Sequence, residues 1–133
     1  MRVLGAELAL VQAGRVEVVL RSRPDLTQQA GLLHAGVIAA IADSSCGYAA
    51  LTLMPAGSDV VSVEFKLSLL APARGVRVVA RGEVVRAGRT LTVCRADVFG
   101  EDETIVATML GTMMRRADSS GTSSAISLLN KPY

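Results

Sequence analysis

The chain has 133 residues, with 14 basic and 12 acidic side chains, a net charge of +2 and no tryptophan. This length suits one domain with a single core and leaves no room for a second. The charges are mixed, and two Tyr and two Phe give no stacking platform, so the composition argues against nucleic-acid binding. One His and two Cys are too few for a zinc site of the usual kind, and we expect no bound metal.

The two cysteines also bear on the compartment. Cys46 and Cys94 are far apart in the sequence, and no positively charged leader precedes an apolar segment. These features predict a reduced, cytoplasmic protein. The longest apolar stretch is interrupted by His34 and Asp43, so we expect no membrane span.

Two segments near the beginning of the chain predict a β-hairpin. They are residues 4–11 and 15–21, they flank Gln12-Ala13-Gly14, and the second alternates apolar with polar side chains. Residues 22–30 are polar and include Pro24, which is typical of a connecting loop.

Residues 31–54 predict one long helix, because they are rich in alanine and are followed by Pro55-Ala56-Gly57. Apolar residues fall on all sides of this helix, which predicts that it is buried.

Small residues form one stripe along the helix. Gly36, Ala40, Asp43 and Gly47 share this stripe on a helical wheel. The small side chains indicate either a close approach by another backbone or room for a substrate beside the Asp43 carboxylate.

Four further strands follow, at residues 61–69, 76–86, 90–99 and about 104–115. In the first, apolar residues from Val61 to Leu69 alternate strictly with Ser62, Glu64, Lys66 and Ser68. The short connections between these strands predict an antiparallel meander.

Six strands and one apolar helix predict an α+β domain. With no other element to cover the helix, an antiparallel sheet must wrap around it, and this arrangement is the hotdog fold. We expect the domain to span residues 1–116 and the Ser-rich residues 117–133 to form a mobile tail.

The motif that begins before this helix carries a family resemblance. It reads Gln28-x-x-Gly31-x-x-His34-Ala35-Gly36 and continues as Ile41-Ala42-Asp43. It resembles the PaaI-like branch of the hotdog acyl-CoA thioesterases, which has Asn or Gln, Gly, His-Gly-Gly and then Leu-Ala-Asp. The resemblance covers roughly residues 4–115. It implies hydrolysis of an acyl-CoA thioester, without metal or bound cofactor, in a homodimer or a dimer of dimers.

The resemblance also implies roles for individual residues. Asp43 would be the general base or the nucleophile, and Ala35 would offer its backbone N–H to the thioester carbonyl. Gln28 would orient the carbonyl or the water, with Gln29 as an alternative amide. Ser62 matches a strand residue that in some members helps to position the nucleophilic water.

The chemistry of the residues supports these roles separately. Ala35 and Gly36 open the helix, and the N–H groups of a first helical turn are donors suited to an oxyanion. The Asp43 carboxylate on an apolar helix is costly unless a function or a partner retains it. Eight residues of helix put Ala35 and Asp43 about 12 Å apart. If both act on one carbon, two subunits must contribute to each site.

Several alternatives stay open. Asp43 could be a structural carboxylate satisfied by a backbone group or an arginine. His34 is the only histidine, but the chain has no Gly-x-Ser-x-Gly elbow, so we expect it to shape the helix start rather than to serve a serine triad. Arg74 and Arg89 are candidates for the coenzyme A phosphates.

Two alternative functions also remain. The first is a hotdog protein that binds acyl-CoA without turnover. The second is a hydratase of the same fold, which is weaker because the Asp-His pair expected on one motif is not found.

Overall fold

The computed structural model describes residues 1–117 as one antiparallel sheet wrapped around one helix. The α+β hotdog fold predicted from the sequence is confirmed. Of the predicted tail, only Ala117 is described, and it ends the last strand; residues 118–133 lie outside the described part of the chain. The strands are β1 (Glu7–Gln12), β2 (Arg15–Arg21), β3 (Ser58–Leu69), β4 (Arg77–Ala87), β5 (Leu91–Phe99) and β6 (Ile105–Ala117), and the helix is α1 (Ala35–Leu51).

The sheet order is β1-β2-β4-β5-β6-β3. The predicted hairpin of β1 and β2 is confirmed, as is the antiparallel run from β4 to β6. The predicted meander is wrong for β3, which pairs with β6, while β2 pairs with β4. The connection between β3 and β4 crosses from one side of the sheet to the other, so β3 becomes a sheet edge.

The helix is shorter than the predicted residues 31–54. It begins at Ala35 because His34 adopts an extended conformation and caps it. Leu33 before it forms an isolated bridge with Thr27. The helix ends at Leu51, and the Thr52 hydroxyl accepts a hydrogen bond from the Gly14 N–H at 2.8 Å, which ties the helix end to the β1–β2 turn.

One side of α1 is packed on the sheet. Ile41, Ala42 and Cys46 are fully buried there, and Gly82 on β4 allows the closest approach. A Cβ at Gly82 would lie 2.4 Å from the backbone carbon of Ser45, so only glycine fits.

The opposite side of α1 is open. Ala40, Asp43 and Gly47 on the small-residue stripe are only partly buried, and Gly36 is exposed. The expectation that the helix is buried on every side is therefore wrong for the single chain, because its own sheet covers one face only.

Within residues 1–117, no helix is long and apolar enough to cross a membrane.

Candidate functional site

Asp43 is held by a side chain from the edge strand. The Ser62 hydroxyl on β3 donates a hydrogen bond of 2.6 Å to Asp43 Oδ1. The sulfur of the buried Met113 lies 3.4 Å from the same hydroxyl. Because the Ser62 hydroxyl has one proton, the charged carboxylate takes it in preference to the weakly accepting thioether. The contact orients the carboxylate, and within residues 1–117 Asp43 Oδ2 accepts no hydrogen bond.

A β-bulge makes this contact possible. The pairing of β3 with β6 shifts between Ser62 and Glu64, so Val63 is the extra residue. Strict alternation would place Ser62 on the same face as Glu64. Instead Ser62 is paired with Met113 and points towards α1, whereas Glu64 accepts a hydrogen bond from Thr112 on the outer face. The predicted strict alternation through β3 is thus wrong at Val63.

Within residues 1–117, one backbone N–H group in the first turn of α1 has no hydrogen-bond acceptor. The Gly36 N–H donates to His34 Nδ1 at 3.0 Å, and the Val37 and Ile38 N–H groups donate to the His34 carbonyl oxygen. Within residues 1–117, the Ala35 N–H has no hydrogen-bond acceptor. Ala35 is therefore the donor in this turn that a substrate oxygen could use, whereas Gly36 is already engaged.

The N-cap leads to a first prediction. His34→Ala should lower the free energy of unfolding by about 1 kcal/mol, because the Gly36 N–H loses its acceptor. His34→Asn should keep a value near that of the wild type, since Asn also caps helices. Denaturant unfolding measures the stability of both variants, and the acyl-CoA hydrolysis that the motif implies is assayed on each. If His34→Asn is stable but hydrolyses the substrate as slowly as His34→Ala, the imidazole has a chemical role, which contradicts the capping interpretation.

Gln28 lies beside the helix start. Its Oε1 accepts a hydrogen bond from the Ala30 N–H at 2.7 Å, and its NH₂ group is left to donate. Gln28 and Ala35 line the same groove, whereas Gln29 is exposed in the loop. Of the two amides, Gln28 lines the groove with Ala35 and Gln29 does not.

This groove measures about 490 Å³ and runs between the first turn of α1 and residues 69–73. We call it the helix-start groove. Residues 69–73 were not among the residues predicted for a site, because no polar or charged side chain marks them in the sequence.

Ala35 and Asp43 are not brought together within one chain. The helix runs alongside β3 in the opposite direction, with Ala35 near Leu69, Asp43 at Ser62, and Gly47 near Val60. Because α1 is continuous from Ala35 to Leu51, about 12 Å separates the two groups.

The two arginines lie at opposite ends of β4. Arg74 precedes this strand and lines a second groove with Glu101 and Asp102. Arg89 lies in the turn between β4 and β5, next to Thr90, whose carbonyl oxygen accepts from the Arg115 N–H. Because Arg115 pairs with Val60, Arg89 is on the Asp43 side of the molecule, whereas Arg74 is on the Ala35 side.

The cysteines are unsuited to nucleophilic catalysis. Burial raises the pKa of the Cys46 thiol far above its usual range, with Cys94 and Asp43 adding to the effect. Burial also raises the pKa of Cys94 to about 11. Both stay thiols at neutral pH, whereas the reactive form is the thiolate. Among the described residues, no group of three or more His, Cys, Asp or Glu side chains could hold a metal ion.

Comparison with known proteins gives one family match. Residues 30–107, which include the helix and the motif from Gly31 onwards, match the model of the Thioesterase superfamily. A thioesterase family protein from Silicibacter pomeroyi has a solved structure that is 44% identical, with a TM-score of 0.85, and the alignment covers 88% of each chain. The medium/long-chain acyl-CoA thioesterase YigI of Salmonella typhimurium is 24% identical over 128 residues, covering 85% of this chain and 83% of that protein.

Two more distant structures share the fold. The Escherichia coli PaaI protein is 19% identical with a TM-score of 0.81, covering 88% of this chain and 83% of that one. A Streptococcus mutans protein solved with acetyl-CoA bound is 21% identical with a TM-score of 0.77, covering 85% of this chain and 90% of that one.

Proposed function

This chain belongs to the thioesterase superfamily, and we propose that it is a PaaI-like enzyme that hydrolyses acyl-CoA thioesters to a free acid and coenzyme A. The observation that carries the proposal is the Asp43 carboxylate on the central helix, oriented by Ser62. The name of the relative YigI and the acetyl-CoA bound to a protein of the same fold support the substrate class.

The proposed reaction uses protein groups and water. The Ala35 N–H donates to the thioester oxygen and stabilises the negative charge that develops there. Asp43 Oδ2 either takes a proton from an attacking water or attacks the carbonyl carbon itself, in which case water then hydrolyses the acyl anhydride. In both routes a C–O bond forms, the C–S bond breaks, and the coenzyme A thiolate leaves and takes up a proton.

Other residues position these groups. Ser62 orients the carboxylate and the attacking water, and the Gln28 NH₂ group donates to the substrate carbonyl or to the water. His34 and Gly36 set the geometry of the first turn through their hydrogen bond. These roles agree with those that the family motif implies.

Each site is proposed to combine two subunits, since one chain holds Ala35 and Asp43 about 12 Å apart. The open stripe of small residues on α1 allows a second chain to approach. A two-fold dimer would place Ala35 of one subunit against Asp43 of the other and create two equivalent sites.

The edge of β3 that is unpaired within residues 1–117 is the surface that we propose for this dimer. It is 12 residues long, and its Val63 and Phe65 side chains are 54% and 44% exposed. In an antiparallel pair of two β3 strands, side chains directly opposite share a face. With the two-fold axis at Phe65, Glu64 of each subunit lies opposite the partner's Lys66, which gives two ion pairs. With the axis at Lys66, the two Lys66 ammonium groups would lie opposite each other and repel.

This register makes a prediction about cross-linking. Phe65→Cys should oxidise to a disulfide-linked dimer, because opposed Cβ atoms in paired strands come within about 5.5 Å. The control is Val11→Cys on β1, the other sheet edge, where the side chain is 54% exposed. Non-reducing electrophoresis distinguishes the two variants. Equal cross-linking of both, or of neither, would rule out this register.

The arginines are proposed to contact the coenzyme A phosphates. Arg89 is the stronger candidate, because Arg74 shares its groove with two carboxylates that repel phosphate. Across the proposed dimer, Arg89 would flank a site from the Asp43 subunit and Arg74 from the Ala35 subunit.

The activity is tested by measuring thiol release from acetyl-, octanoyl- and phenylacetyl-CoA. We expect release from at least one ester, with loss in Asp43→Asn. Binding of acyl-CoA without release from any ester would instead favour the non-catalytic acyl-CoA-binding protein.

Subunit mixing tests the composite site. Asp43→Asn and Ala35→Pro each remove one half of a site, so each homodimer should be nearly inactive. Dissociating and reassociating equal amounts gives about half heterodimers with one intact site each, and hence about a quarter of wild-type activity. If the mixture stays as inactive as its components, the two groups do not act across subunits.

A further inference from the structure

The helix-start groove is apolar along its length. Leu33, Ile38 and Ala73 are nearly completely buried at its base, while Leu69 and Leu70 are 55% and 53% exposed along its wall. Among the described lining residues there is no Asp, Glu, Lys, Arg, Phe, Tyr or Trp, and the polar side chains are those of Gln28 and His34.

Resting on the proposed function, we propose that this groove holds the acyl group, and that the preferred acyl group is an unbranched aliphatic chain longer than acetyl. When the thioester oxygen accepts from the Ala35 N–H, two parts of the substrate extend from the carbonyl carbon: the acyl arm, and the pantetheine arm of coenzyme A. The pantetheine arm carries amides that lose hydrogen bonds in an apolar groove, whereas an alkyl chain loses none. The acyl arm therefore lies along Leu69 and Leu70 and covers their exposed surface.

The same composition discriminates among acyl groups. Among the side chains that one chain contributes to the wall, a carboxylated acyl group would find no Lys or Arg, and an aryl group would find no Phe, Tyr or Trp ring. An alkyl chain gains from each methylene that it buries. The groove volume of about 490 Å³ leaves room for several methylenes beyond an acetyl group.

The first experiment measures kcat/KM for a series of esters from acetyl- to dodecanoyl-CoA, with phenylacetyl- and malonyl-CoA beside them. We expect about a fourfold rise per added methylene from butyryl- to octanoyl-CoA, which corresponds to the burial of one CH₂. A flat series, or a preference for phenylacetyl- or malonyl-CoA over octanoyl-CoA, overturns the inference while leaving the proposed hydrolysis in place.

The second experiment places the specificity in the groove. Leu70→Asp should abolish the rise in kcat/KM with chain length, because an alkyl chain lying in the groove would meet the new charge. The control is Leu53→Asp, 45% exposed beyond the end of α1 and outside this groove, which should keep the rise. An unchanged rise in Leu70→Asp would refute the assignment of the groove.

Binding separates failure of this inference from failure of the proposed function. Calorimetry on Asp43→Asn should show octanoyl-CoA binding more tightly than acetyl-CoA, without any requirement for turnover. Tighter octanoyl-CoA binding with no hydrolysis by the wild type would support the groove and reject the enzyme. Equal affinities would reject the groove.

Discussion

Asp43→Asn should lower kcat for acyl-CoA hydrolysis by about 10²–10⁴-fold, because the amide can neither accept a proton from water nor attack the carbonyl carbon. The Asn side-chain oxygen still accepts the Ser62 hydrogen bond, so the fold and substrate binding should persist. Thiol release measures the rate, and calorimetry with acyl-CoA should give a Kd within about threefold of the wild-type value.

The matched control for Asp43 is Glu7→Gln. Glu7 is exposed on β1, the strand at the opposite edge of the sheet from β3. Its amide variant should keep the wild-type kcat. A similar loss in both variants would assign the effect on Asp43 to a general change in charge, and wild-type turnover in Asp43→Asn would leave Asp43 as a structural carboxylate.

Ala35→Pro should lower kcat by about 10²–10³-fold, because proline removes the one N–H that is proposed to bind the oxyanion. Helices accept proline at their first position, where its fixed φ is already suitable. The preceding residue suits it as well, since His34 has φ of −63° and ψ of 136°, the extended region that a following proline requires. No hydrogen bond within residues 1–117 is lost.

Ala35→Gly is the control for this change, because it alters the side chain and keeps the N–H. It should retain wild-type turnover. Circular dichroism and denaturant unfolding should show that both variants are folded. A folded Ala35→Pro variant with normal kcat would eliminate the Ala35 amide as the oxyanion donor.

The motif between Gln28 and Asp43 could be interpreted from the sequence because its parts are close along the chain. The cap, the first helical turn and the carboxylate are placed by local backbone geometry: Ala35 and Asp43 lie on α1, and His34 is its N-cap. The 12 Å between Ala35 and Asp43 follows from helical rise alone. A two-subunit site is thus a hypothesis that needs no tertiary structure.

The contact between Asp43 and Ser62 could not be derived in this way. Alternation predicted that Ser62 faces away from the apolar side of β3, and the bulge at Val63 reverses that. A bulge adds one residue to a strand without any special composition, so the apolar and polar pattern does not reveal it. The family resemblance pointed to Ser62, but only the packed sheet shows how it reaches the carboxylate.

The position of β3 illustrates the same limit. Its strict alternation predicted one strand of an antiparallel meander, yet it is an edge strand with Phe65 and Leu69 exposed. Periodic apolar residues indicate that one face of a strand is covered. They do not indicate whether the chain's own helix or a second subunit covers it.

For this protein, the amino-acid sequence specified six strands and one apolar helix that carries a carboxylate two turns after its first residue. Periodicity, caps and turns depend on neighbouring residues, so a local pattern can reveal them. The tertiary structure decided which strand lies beside Asp43, which face of α1 stays open, and which walls enclose the groove at Ala35. Those outcomes depend on contacts between residues far apart in the chain, such as Ser62 with Asp43 and Met113, whose energies no local pattern records.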